Sequence, residues 1–198
     1  MSYAERDGGL ELSGNLALDL VNTIVPGRDG PVDLLGTPMD LATWFEAAGV
    51  SGGALGPILP DSPPLLRLLL AEAIRLRAAI VRLLEAASAR KPVAEDVRFA
   101  IDRVMAEGHR STRMAGESGT LIEIREARTP LGLLAPVAVA AARLAVEADA
   151  ARLRPCAARD CTRWFLDTSK GGRRRWCSMT TCGNRAKAAR FRRRHGGG

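Results

Sequence analysis

A chain of 198 residues, 46% of them apolar, is long enough to bury one substantial core. Aromatic residues make up only 4%, which leaves that core to Leu, Val, Ile and Ala and favours helices. The formal net charge of +7 conceals an asymmetry: fourteen Lys and Arg face two Asp from Ala151 onward, a local +12, whereas the first 150 residues sum to −5. An acidic body followed by a strongly cationic tail points to an anionic partner for the tail.

Met1 to Gly9 is polar and lacks the succession of basic, apolar and small residues of a secretory leader. Leu10 to Val25 reads as a helix of mixed faces, with Asp19, Asn22 and Thr23 embedded in it. Polar groups in an apolar run need partners, so Asp19, Asn22 and Arg28 are candidates for a small-ligand pocket. The plainer reading, which we favour, gives Asn22 and Thr23 to capping or turning the chain and Asp19 to solvent. Thr37-Pro38-Met39-Asp40 marks a helix start, with Pro at the first position and a carboxylate near the positive end of the dipole. Gly49 is a natural stop for that helix.

Val50 to Asp61 is rich in Gly and Pro and reads as a loop. Ser62-Pro63 then opens a long helix with Leu66, Leu69, Ala73, Leu76, Ile80, Leu83 and Leu84 at helical spacing, and Arg67, Arg75, Arg82 and Glu85 on a solvated stripe. Val93 to Met105 is a second helix, stopped by Gly108. A hairpin follows: Ser111 to Ala115, a turn over residues 116–119, and Thr120 to Ala127, where Ile122 and Ile124 alternate with Glu123 and Arg125. His109 is expected to serve the loop before it. Leu131 to Leu153 is the last helix of the body, with Pro136 at a kink or at its true start. The longest charge-free apolar stretch, Pro130 to Ala142, is too short to span a bilayer, so no membrane partner is expected.

All four cysteines lie beyond this point, in two pairs of equal spacing. Four residues separate Cys156 from Cys161 and Cys177 from Cys182, and fifteen separate the pairs. Two short-range pairs brought together by a turn supply four thiolates for one tetrahedral, closed Zn²⁺ site. Two disulfides or four unrelated thiols are the alternatives, and disulfides suit small secreted frameworks better than this chain. Around the cysteines stand Phe165, Asp167, Ser169, Arg174-Arg175-Trp176-Cys177-Ser178-Met179 and Cys182-Gly183-Asn184-Arg185 with Lys187.

These landmarks resemble the CGNR zinc-finger family over about forty residues. Upstream, Leu18-Asp19-Leu20-Val21-Asn22-Thr23 and Thr37 to Trp44, closing with Ala48-Gly49, are similar to the ABATE-type helical domain that usually precedes that finger. The resemblance implies one structural zinc on Cys156, Cys161, Cys177 and Cys182, and a DNA-binding, stress-related transcription regulator.

The expected fold class is therefore mainly α (α+β): a helical domain over residues 1–153 with a small β-hairpin, then a treble-clef-like zinc finger over 154–198. In the finger, Arg163 to Asp167 and Arg174 to Trp176 are expected to pair around a turn at Thr168 to Gly172, with a helix from Met179 to Arg194. Phe165, Trp164 or Trp176, and Phe191 are the expected mini-core. Arg185 is expected to serve the zinc site, Asp167 to pair with Arg174 or Arg175, and Asn184 to hold the turn. The surplus cations, Lys170, Arg173, Arg174, Arg175, Lys187, Arg190, Arg192, Arg193 and Arg194, then form the expected nucleic-acid surface, and Lys187, Arg190 and Arg194 share one helix face.

Duplex DNA is the expected partner. RNA stacked on Trp164 and Trp176, or a zinc-stapled protein-interaction role, is the alternative. The body is left to a homodimer or an unidentified small ligand. No paired-carboxylate, Ser/His/Asp or phosphate-loop motif occurs, so no enzyme is expected. Reliance on reduced thiols points to the cytoplasm.

Overall fold

The computed structural model describes residues 12–27, 30–50, 62–115, 120–127 and 129–195, with the backbone alone for 110–115, 120–126 and 193–195. The Val50 to Asp61 loop, the 116–119 turn and Arg28 fall wholly or mostly outside these residues.

Among the described residues the first helix is much shorter than the expected Leu10 to Val25, of which Leu10 and Glu11 lie outside them. Helix α1 runs Leu16–Val21 because Asn15 caps it, its side-chain oxygen accepting from the amides of Ala17 and Leu18, and because Asn22 ends it. Ile24–Pro26 (β1) then turns back on Pro31–Asp33 (β2) in an antiparallel pair that the sequence reading did not anticipate. Helix α2, Pro38–Ala47, opens on a reciprocal capping box. Thr37 Oγ1 accepts from Asp40 N, and Asp40 Oδ2 accepts from Thr37 N at 2.8 Å. Ala48 caps its other end, and Gly49 follows with φ of 67°, a conformation that favours glycine.

Helix α3, Pro63–Ser88, buries Leu69, Ala73, Leu76, Ile80, Leu83 and Leu84 of the stripe expected from periodicity, with Leu66 near the start of the helix only half-buried. Helix α4, Glu95–Ala106, adds Val97, Ile101 and Val104. Strands β3 (Gly108–Ala115) and β4 (Thr120–Ala127) form the expected hairpin, three residues longer at its start than the alternation suggested. His109 thus belongs to β3, opposite Glu126.

The expected Leu131 to Leu153 helix is divided. A 3₁₀ turn over Pro130–Leu134, capped by Thr129, leads into α5, Ala135–Glu147, with Pro136 in its first turn. Asp149 closes the following turn, its carbonyl accepting from Arg152 N at 2.8 Å and its side chain from Ala151 N. The chain is thereby released into an extended segment, Leu153–Pro155 (β5).

Helix α5 packs against α1, α3 and α4. Pro130–Glu147 is long and apolar enough, at 18 residues and mean hydropathy 1.5, to pass for a membrane span, longer than the stretch judged from the sequence. Its Leu133, Leu134, Val137, Ala138, Ala141 and Leu144 are nevertheless buried in the body's own core. Each fully buried Leu or Ile there contributes about 1.5–3 kcal/mol.

Buried polar groups tie the first third of the chain to α3. Arg77, only 5% exposed, donates through both Nη atoms to Asp33, at 2.7 and 2.5 Å, and through Nη1 to Thr23 Oγ1 at 2.8 Å. The outer arginines of the same helix behave as a solvated stripe: Arg75 pairs with Glu72 and Arg82 with Asp96. Such exposed pairs contribute little.

Candidate metal centre

The finger starts inside the body's core. Strand β5 pairs antiparallel with Trp164–Leu166 (β6), Leu153 opposite Leu166 and Pro155 opposite Trp164. Leu153 and Trp164 both belong to the body's buried cluster. This corrects two expectations. The partner of the 163–167 segment is Leu153–Pro155 rather than Arg174 to Trp176, and Trp164 packs with the body rather than in a separate mini-core. Phe191, assigned to that mini-core, is 63% exposed. The cause is the directness of the connection: the turn at Asp149 leads straight into β5, so strand pairing brings the finger against α1 and α3.

Each cysteine is held by local hydrogen bonding. Cys156, directly after β5, donates its amide to Arg163 O at 2.8 Å, and Cys161 closes a turn by donating to Ala158 O at 3.1 Å. Ala157 N reaches Arg175 O at 2.8 Å, which lays the second cysteine pair against the first. Ser178 caps a wide π turn over Met179–Gly183 that contains Cys182, and helix α6, Asn184–His195, follows. Gly183 leaves room for the Met179 side chain, which would have to shift for any larger residue. A Cβ at this position would lie 2.6 Å from Met179 Sδ.

The four sulfurs lie within 4.8 Å of one another, with Cys161 to Cys177 at 3.8 Å and Cys177 to Cys182 at 3.7 Å, and all four are free thiols. A tetrahedron of Zn–S bonds of about 2.3 Å has edges of about 3.8 Å, so the observed separations are those of one zinc site and far beyond a disulfide. The thiols themselves call for a cation. Hydrogen bonds from Cys161 and Cys177 draw Cys156 well below the ordinary thiol range, while the same contacts push Cys161 up to about 11 and Cys177 upward as well. Four sulfurs this close cannot all be anionic on their own; Zn²⁺ removes that conflict. Cys177 N donates to Cys156 Sγ at 3.4 Å and Arg185 Nη2 to Cys182 Sγ at 3.6 Å, offsetting the −2 of a tetrathiolate site. With four protein donors the metal has no open position, so it supplies folding free energy and no Lewis-acid chemistry.

Asp167, fully buried, organises the next loop. Its Oδ1 accepts from the amide and hydroxyl of Ser169 at 3.0 and 2.6 Å, and its Oδ2 from Arg174 N at 2.8 Å, with Arg154 Nη1 at 3.9 Å. The Ser169 hydroxyl holds this carboxyl below the usual range. Its expected arginine is thus met through a backbone amide, and its ion pair is with Arg154. The Arg174 guanidinium lies over the Phe165 ring, 5.0 Å from the centroid, and donates to the carbonyls of Trp176 and Cys177. Arg175 lies over Trp176, 5.6 Å from its centroid. Lys170, Arg173, Lys187, Arg190 and Arg192 are exposed and form no ion pair among the described residues. Arg193 and Arg194 continue α6, and their side chains lie outside the described residues.

Of the candidate ligand set, Arg28 lies outside the described residues, and Asp19 and Asn22 are engaged with the chain itself. Asn22 donates to Trp164 O at 2.9 Å and accepts from Trp164 N at 2.8 Å. Asp19, expected at the surface, is 2% exposed and accepts from the amide and hydroxyl of Ser13. Burial pushes its carboxyl above the usual range, with Ser13 opposing. Asn22 does border a cavity of about 550 Å³ between the start of the body and the finger, with Leu12, Asn15, Phe165, Thr168 and Met179. Sequence reasoning missed Arg77, Arg152 and Arg154, since an arginine on a helix or beside a strand looks like any other solvated cation.

A tetrathiolate site built on a knuckle, a wide turn and a helix, set against a helical body, defines a zinc-finger protein. Residues 152–195 match the family model of the CGNR zinc finger, and residues 14–148 match that of ABATE, described as a putative stress-induced transcription regulator. The second match covers more than half of the chain, which therefore belongs to the ABATE family and carries a CGNR zinc finger at its C-terminal end. A search of the curated proteins finds no match to the chain.

Proposed function

We propose that this protein is a DNA-binding transcription regulator, a binding protein and not an enzyme, whose zinc finger carries the contact to the duplex. The observation that carries the reading is the set of exposed cations on the finger, Lys170 and Arg173 on one loop and Lys187 and Arg190 on α6, none of them ion-paired among the described residues. With a local charge of +12 over the last 48 residues, such a surface matches a phosphate backbone, where affinity comes from counterion release. The family description supports a transcriptional role, and dependence on reduced thiols supports the cytoplasm as its place of action.

The RNA reading needs exposed rings for unpaired bases. Trp164 is only 7% exposed, and Trp176 lies beneath Arg175, so the platform proposed from the sequence is reduced. Competition between duplex DNA and structured RNA at one salt concentration decides between the two. A combined change of Lys187, Arg190 and Arg194 to Gln is expected to keep the zinc and weaken duplex binding. Wild-type affinity in that variant would remove α6 from the interface.

A further inference from the structure

We infer that Thr168 to Arg175 is a preorganised loop whose Lys170 and Arg173 grip the phosphodiester backbone of duplex DNA, and that Arg152 and Arg154 act behind it as positioning residues. The inference rests on the DNA-binding reading above and assigns the loop's cations to separate tasks.

Two guanidiniums take four carbonyl oxygens, three of the loop and that of Asp167 at its base. Arg152 Nη1 donates to Asp167 O at 3.0 Å and Ser169 O at 2.8 Å. Arg154 donates through Nη2 to Gly172 O at 3.0 Å and through Nη1 to Arg174 O at 3.3 Å. From the base of the loop, Asp167 gathers Ser169 and the Arg174 amide, and Gly172 N donates to Ser169 O at 3.1 Å. Gly172 takes φ of 57°, which allows this tight return. Four negative carbonyl ends are thus turned onto two half-buried guanidiniums.

What remains for solvent is cationic. Lys170 and Arg173 are exposed, and neither is ion-paired among the described residues. Arg174 is engaged with Phe165 and two carbonyls, and Arg175 with Trp176, so neither has the freedom of the other two. A loop ordered before binding gives up less conformational freedom on contact, which is the advantage of such a scaffold. Only arginine suits the Arg154 position. Its three nitrogens serve three separate acceptors, Nε on Ala151 O at 2.6 Å and the two Nη atoms on the loop, a fork that a lysine ammonium at the same place does not reproduce.

The test is equilibrium binding of the zinc-loaded full chain to random-sequence duplex DNA across a salt series. Changing Lys170 and Arg173 together to Gln is expected to make the slope of log K against log salt shallower by roughly two, about one per lost phosphate contact. Arg154→Lys keeps the charge and removes the fork. It is expected to retain one zinc, lose affinity several-fold at every salt concentration, and leave the slope unchanged. An unchanged slope in the double variant overturns the loop contact, and wild-type affinity in Arg154→Lys overturns the positioning role. The double variant alters only exposed side chains, so it decides the loop contact even where Arg154→Lys loses its zinc. Failure of the wild type itself to bind duplex, or a preference for structured RNA, overturns the underlying reading and the inference together. A failure confined to the variants overturns the inference alone.

Discussion

The side-chain amide of Asn22 pairs with both backbone polar groups of Trp164, donating to its carbonyl at 2.9 Å and accepting from its amide at 2.8 Å. A side chain at the end of α1 thereby acts as one more residue of sheet against β6. The contact is reinforced by Thr162 Oγ1, which donates to Ile24 O at 2.9 Å, and by Trp164 itself in the body's core. Asn22→Ala leaves a buried amide and carbonyl without partners. The expected loss of stability is on the order of 3 kcal/mol, read from urea unfolding followed by circular dichroism. A loss below about 0.5 kcal/mol would mean that water replaces the amide and the latch is dispensable.

Zinc removal is expected to reach the body. Because Leu153 and Trp164 of the finger's strands lie in the body's buried cluster, metal that binds only the folded finger also stabilises α3 and α5. Chelation should lower the thermal midpoint of the whole helical signal, and Cys177→Ser should reproduce that shift without chelator. A helical transition indifferent to chelator would show that body and finger unfold independently.

Arg77 is expected to matter more than any arginine of the exposed stripe. Arg77→Leu leaves Thr23 and Asp33 without their buried partner and should cost about 2–3 kcal/mol, whereas Arg82→Ala, whose partner Asp96 is exposed, should cost less than about 1 kcal/mol. Parallel urea titrations of the two variants check the ranking. Equal losses would contradict the burial argument.

Asp19 sets a pH dependence of definite sign. Its folded carboxyl is raised by burial, so the folded state binds this proton more tightly than the unfolded chain. Its contribution therefore improves as pH falls into the window between the raised folded value and the ordinary one of about 3.9, and worsens as pH rises out of it. Asn at this position keeps an oxygen for Ser13 and carries no charge. Asp19→Asn is thus expected to be no less stable than wild type at pH 7, and to flatten stability against pH in the acidic range. A clear destabilisation at pH 7 would show that the ionised carboxylate is wanted there.

The metal site and the helical stripes were legible because both are written in local spacing. Four cysteines in two equal pairs specify four donors whatever lies between them, and Leu69, Ala73, Leu76 and Ile80 specify a buried face by period alone. The finger's strand pairing was not legible, because a helix was expected to run to Leu153 and deliver the chain directly to Arg154 and Pro155, whereas the turn at Asp149 releases Leu153–Pro155 into a strand. The role of Asn22 was hidden for a related reason: its partner lies 142 residues away, and no local rule links an asparagine after a helix to a distant strand. Phe191 misled in the other direction, since an aromatic residue in a small module suggests a core that Trp164 instead finds in the body.

The most direct measurement is equilibrium binding of the full chain to random-sequence duplex DNA over a series of salt concentrations, in zinc-loaded and chelated samples of one preparation. The account predicts one zinc per chain, log K falling steeply and linearly with log salt in the loaded sample, and loss of that binding on chelation. Binding that ignores salt, or that is the same in loaded and chelated protein, would contradict a zinc-built phosphate-binding surface.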